Sequence, residues 1–253
     1  MRPSLLLVLV PFALLPACGS APVTEGPRDA EAVLDGPVEA APNPTPVDGG
    51  FPLPDGGTIR ADRFVTSVVA FTPGDCAGFG IPAMPGVVQG PPVGFGAEQG
   101  STNVVSLGRG GSITVSFGAN AIVDGPGPDF VVFENAFYVA GDPTNIFAEP
   151  GEVSVSLDGA AWKTFPCTAT KAPYGACAGW HPVYSSPDNA VSPVDYPACG
   201  GDAFDLTDVG LASAQFVRIR DMGGEDCPVD PKLRTTNVGF DLDAVGIVNA
   251  LAP

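Results

Sequence analysis

The 253-residue sequence is poor in basic residues, with 11 Lys+Arg against 28 Asp+Glu and a formal net charge of −17. A chain this acidic is repelled by phosphate backbones and anionic headgroups, which argues against nucleic acid as a partner. It has a single histidine, His181, so zinc centres built on two or three imidazoles are excluded. It has no G-x-S-x-G elbow, the usual setting of a hydrolase serine. Charged residues make up only 15%, and no stretch carries a sustained helical stripe with caps, apart from one turn over residues 205–211. What is abundant is glycine (33) and proline (29), too much of both for a helical bundle. Apolar residues at 45% supply one core, and the composition reads as an exported, loop-rich, all-β protein.

Residues 1–18 read as an address rather than as fold. Met1-Arg2 is a short positive start, and the apolar run from Leu5 to Leu15 is too short to span a bilayer. It ends in Leu15-Pro16-Ala17-Cys18 followed by Gly19, which resembles the lipobox of bacterial lipoproteins. The resemblance implies lipid on Cys18 and, with Gly19 after it, an outer-membrane or cell-surface location. Residues 19–61 are rich in Ala, Pro, Gly and acidic residues and show no period of 3.6 or 2, so an extended tether is expected.

Residues 62–250 are expected to form one folded domain. Short strand-like runs alternate there with Gly, Pro, Asn and Asp: residues 64–71, 103–107, 112–117, 129–134, 152–157, 162–165, 215–220 and 243–248. Gly108-Arg109-Gly110-Gly111 reads as the turn of one hairpin and Asp158-Gly159 as the turn of another. The run Asp129-Phe130-Val131-Val132-Phe133-Glu134 is continuously apolar inside its acidic ends, as in a central strand covered on both faces. Along residues 152–157, Val153, Val155 and Leu157 share one face and Ser154 and Ser156 the other. Trp162, just after the second turn, is expected in the core. The strand count and spacing predict a β-sandwich or jelly roll.

Three stretches carry a family likeness. Val153-Ser154-Val155-Ser156-Leu157-Asp158-Gly159-Ala160-Ala161-Trp162 resembles a hairpin common in galactose-binding-like (discoidin-type) jelly rolls. Ala214-Gln215-Phe216-Val217-Arg218-Ile219-Arg220-Asp221 is similar to their late strand, and Gly239-Phe240-Asp241-Leu242-Asp243-Ala244-Val245 to their terminal one. The wider string, including residues 125–135 and 200–206, resembles uncharacterised bacterial cell-surface proteins of that architecture. A Cys/Pro-rich insertion over residues 166–201 departs from the smaller sugar-binding modules.

With Cys18 lipidated, five cysteines remain: Cys76, Cys167, Cys177, Cys199 and Cys227. Cys167 and Cys177 bracket a short Pro/Gly loop that is cheap to close, so this bridge is expected, with one more among the other three and a buried, inert thiol left over. On the insertion, Tyr174, Trp180, Tyr184 and Tyr196 are candidate ligand-binding rings, against the alternative that they pack the insertion onto the sheet.

Alternation along the terminal strand places Asp241, Asp243, Val245 and Ile247 on one face, and Glu134 shares parity with Phe130 and Val132. Carboxylates on a core-directed face need solvent, a cation or N–H donors. Asp129, Glu134, Asp241 and Asp243 are therefore expected ligands of a structural calcium ion, the alternative being ion pairs with Arg218 or Arg220. The resemblance likewise implies an ion near the last strand. Pairs such as Asp129 with Glu134, or Asp241 with Asp243, also admit a carboxylate hydrolase. The expected function is a lipid-anchored, surface-displayed, non-catalytic module binding a glycan or a protein, with a structural envelope protein as the alternative.

Overall fold

The computed structural model describes residues 40, 43–53, 55–168, 170–224, 227 and 238–252. Phe130–Phe133 is the strand around which the rest is arranged, because all four of its side chains must leave water. It is the middle strand of a three-stranded antiparallel sheet, between Asp202–Phe204 and Ala244–Ile247. Phe130 and Val132 enter the main core, while Val131 and Phe133 face the opposite way and are covered by Val183 and Cys199 of the insertion. The insertion thus supplies the second cover that makes a continuously apolar strand stable. Each such side chain contributes about 1.5–3 kcal/mol on burial.

Opposite lies a five-stranded antiparallel sheet in the order Lys163–Thr164, Gly151–Ser156, Phe216–Asp221, Ser112–Ser116, Ser67–Thr72. Its inner face gives Ile113, Val115, Val153, Val155, Val217 and Ile219 to the same core as Phe130, Val132, Val245 and Ile247. The described chain is an all-β sandwich. The turn expected over residues 205–211 is the short 3-10 helix Leu206–Val209, where Asp205 accepts from the Thr207 N–H and Gly210 closes the end in a left-handed conformation.

The Asp158-Gly159 hairpin is formed, joining Gly151–Ser156 to Lys163–Thr164. Val153 and Val155 are buried, but so are Ser154 and Ser156. Ser154 Oγ lies 2.9 Å from Thr164 Oγ1, and Ser156 Oγ donates to Ala161 O. Leu157, at the strand's end, is exposed. Trp162 is not a core residue. It lies half-buried with the Arg218 guanidinium 4.3 Å over its ring, and Phe165 takes the core position.

The Gly108–Gly111 stretch does not join a hairpin. Val105–Ser106 pairs instead with Asp241–Leu242, whereas Ser112–Ser116 lies in the large sheet. The tether also ends earlier than the composition suggests. Gly50–Pro52 and Thr58–Arg60 pair as a hairpin, and Phe51 and Ile59 bury themselves against Phe64. Three large apolar residues at the right spacing outweigh a proline-rich context.

Two disulfides are formed, Cys167–Cys177 as expected and Cys76–Cys227, and Cys199 is a buried free thiol. No helix among the described residues is long and apolar enough to cross a membrane. Residues 1–18, with Cys18, and the tether up to residue 39 lie outside the described residues.

Candidate functional site

The terminal strand is broken where alternation would carry it through. Asp241–Leu242 pairs with Val105–Ser106, and Ala244–Ile247 pairs with Phe130–Phe133, so the chain changes partner at Asp243. The four expected calcium ligands do not meet: Asp129 and Glu134 flank opposite ends of Phe130–Phe133, and Asp243 joins neither acidic cluster. Asp243 is fully buried and accepts the Val93 N–H at 3.0 Å, and burial pushes its carboxyl well above the usual range. Asp129, also fully buried, accepts from the Gly125 and Leu206 N–H groups and from Asn249 Nδ2. Asp124 and Asp205 lie beside it, and both of its oxygens are engaged by those three donors. It is a clasp between loops.

Glu134 and Asp241 do come together, and the third member is Glu149, which sequence reasoning missed. Glu134 follows the strand Phe130–Phe133, Glu149 shortly precedes Gly151–Ser156, and Asp241 opens the last segment. Each offers an oxygen within 4.8 Å of the other two, and all three side chains are buried. Glu149 Oε1 accepts the Gly239 N–H at 3.0 Å, and Asp241 Oδ2 accepts from Asn135 Nδ2 at 3.0 Å. Neither oxygen of Glu134, nor Oδ1 of Asn135, has a hydrogen-bond partner. Burial, then the like charge of Asp241, drives the Glu134 carboxyl well above its ordinary range. The nearby backbone amides of Asn135 and Asp241, short of hydrogen-bond geometry, oppose this in part. The two arginines proposed as alternative partners are engaged elsewhere, Arg218 over Trp162 and Arg220 with Glu152.

Glu149 also lines a cavity of about 360 Å³, whose walls include Arg109, Thr168, Tyr174, Asp221 and Met222. The walls are fixed by hydrogen bonds. Asp221 Oδ2 accepts from the Gly110 and Gly223 N–H groups, and Oδ1 from that of Phe240. Gly239 has a φ of +80°, and a Cβ there would come within 2.7 Å of Asp221 Oδ1, so only glycine allows both carboxylates to approach this turn.

The four insertion aromatics do not form one platform. Tyr174 lines the cavity and meets Trp180 edge to face, centroids 6.1 Å apart. Trp180 donates Nε1–H to Cys177 O and lies tilted against the His181 ring, centroids 3.8 Å apart. Tyr184 borders a separate open depression beside Phe95, and Tyr196 lies near Asp202 and Cys199. A second unforeseen pair is His181 with Asp202, Nδ1 to Oδ1 at 2.6 Å. Because a carboxylate only accepts, Nδ1 carries the proton. Asp202 Oδ2 takes the Gly179 and Trp180 N–H groups as well. Cys199 supplies no nucleophile, since burial pushes its thiol up to about 12.

No known family model matches the chain, and no curated protein matches it in sequence.

Proposed function

We propose that this chain is an exported, surface-displayed, non-catalytic binding module, held to the membrane by lipid on Cys18, whose ligand is a glycan seated in the cavity at the Tyr174 end of the sandwich. The observation that carries the reading is the cavity itself. An aromatic ring, a threonine hydroxyl, a guanidinium and a carboxylate line one concavity of a size that accepts a sugar residue or two. Flat rings stack on the apolar faces of sugars, while hydroxyls and charged groups take their hydrogen bonds. A role as envelope scaffold is favoured by the other three aromatics, which pack within the insertion or lie apart.

A glycan array followed by titration of the best hit separates the two. Tyr174→Ala is expected to weaken binding about tenfold or more, which corresponds to about 1.4 kcal/mol. Tyr184→Ala should leave it unchanged. An array without hits, or equal loss from both variants, would favour the scaffold. Anchoring has its own test. Cys18→Ser should leave the precursor uncleaved or release the protein from detergent-extractable membranes, and a variant processed and anchored like the parent refutes lipidation.

A further inference from the structure

We infer that Glu134, Glu149 and Asp241, with the side-chain carbonyl of Asn135, bind one calcium ion, and that this ion stiffens the wall of the adjoining cavity. The decisive residue is Glu134. It is 1% exposed, both of its oxygens lack a hydrogen bond, and the side-chain charges acting on it, those of Asp241 and Asp202, have its own sign. An ionised carboxylate held so is costly unless a cation meets it. Asn135 Oδ1, a neutral oxygen on the next residue, is likewise buried and unpartnered, while its Nδ2 is committed to Asp241.

The spacing fits a shared ion. Two oxygens that each lie about 2.3–2.6 Å from calcium are at most about 5 Å apart, and the three carboxylates present oxygens within 4.8 Å of one another. The donors are all oxygen, which selects a hard cation over zinc or copper. The one imidazole is bound to Asp202, and the described thiols are bridged or buried elsewhere. Glu134, with both oxygens open, can bind through two atoms, as calcium permits and magnesium's strict octahedron disfavours.

Glu149 makes the connection to function. It belongs to the trio, holds the Gly239 N–H and faces the cavity. Withdrawing the ion leaves the buried Glu134 carboxylate unmet beside the like charge of Asp241, and the Glu149–Gly239 wall loosens. The ion site stands on its own geometry. Only its effect on ligand binding rests on the cavity reading above.

The test uses the full chain stripped with EDTA, titrated calorimetrically with calcium chloride and separately with magnesium chloride, alongside thermal unfolding. One calcium per chain is expected, with a midpoint several degrees higher at saturating calcium and a weaker response to magnesium. Glu134→Gln, which removes the unpaired charge without altering shape, should fold and lose the calcium response. Asp188→Asn, an exposed control, should keep it. Absence of calcium binding, with Glu134→Gln more stable than the parent, would mean that the acids share protons instead and overturns the proposal. Calcium binding that survives Glu134→Gln overturns it too. If calcium binds as expected and no glycan does, the ion site stands and the glycan reading falls.

Discussion

Asp129→Ala is expected to destabilise the sandwich by about 3–5 kcal/mol, lowering the thermal midpoint by roughly 10 °C or more. The side chain is fully buried, and its two oxygens hold the Gly125 N–H at 2.9 Å, the Leu206 N–H at 2.7 Å and Asn249 Nδ2 at 2.8 Å. Alanine leaves all three donors without an acceptor, in a place where water has little access. The donors belong to three separate segments. These are the loop before the strand Phe130–Phe133, the start of the 3-10 helix Leu206–Val209 and the chain just after Ala244–Ile247, so the damage spreads across one end of the three-stranded sheet. Asp124→Ala is the control. Asp124 is exposed and accepts only the Thr207 hydroxyl among the described contacts, so it should cost less than about 1 kcal/mol. Equal midpoints for the two variants would show that Asp129 is not the clasp.

Asp129 is one instance of a pattern that explains the composition. Asp202 accepts from Gly179 and Trp180, Asp221 from Gly110, Gly223 and Phe240, and Glu149 from Gly239. The acids that have too few lysines and arginines to pair with are satisfied by backbone N–H groups, many of them on glycine. Glycine suits the task because it has no Cβ to hold a carboxylate off. Both excesses are visible in the sequence, but which acid meets which glycine mostly is not, since all but the Gly125–Asp129 and Gly223–Asp221 contacts join residues that topology brings together.

The same distinction separates what was legible from what was not. Phe130–Phe133 could be read as doubly covered because four consecutive apolar residues leave no polar face. The Asp158-Gly159 hairpin was local, and so was the short Cys167–Cys177 loop. The four calcium candidates do not come together because Asp129 and Glu134 flank opposite ends of Phe130–Phe133, and because alternation does not hold through Asp243, where the chain leaves one strand partner for another. Glu149 carried no signal of its own, standing in a loop between Ala148 and Pro150. The hairpin at Gly50–Pro52 was hidden by the prolines around Phe51. The His181–Asp202 pair spans 21 residues of irregular insertion.

Of the two disulfides, Cys76–Cys227 is expected to matter more. Replacing both its cysteines by alanine should cost about 5 kcal/mol, against about 3 kcal/mol for the Cys167–Cys177 pair. The difference follows from loop size. The bridges close separations of 151 and 10 residues, and the entropy withheld from the unfolded chain grows with the logarithm of that number. A loss of about 5 kcal/mol approaches the whole stability of many domains, so the double variant at 76 and 227 should be largely unfolded at 37 °C, whereas the variant at 167 and 177 should retain a cooperative transition. Reduction should follow the reverse order of burial. Cys167 and Cys177 are 5% and 1% exposed, while Cys76 and Cys227 are only half-buried, so dithiothreitol should open the long bridge first. Differential alkylation with peptide mapping, read against urea midpoints for both double variants, tests both statements. If the short-loop variant proves the less stable, the Cys167–Cys177 bridge acts through the native state. The reason would then lie in the cover it helps the insertion provide over Val131 and Phe133, the two side chains that face away from the main core.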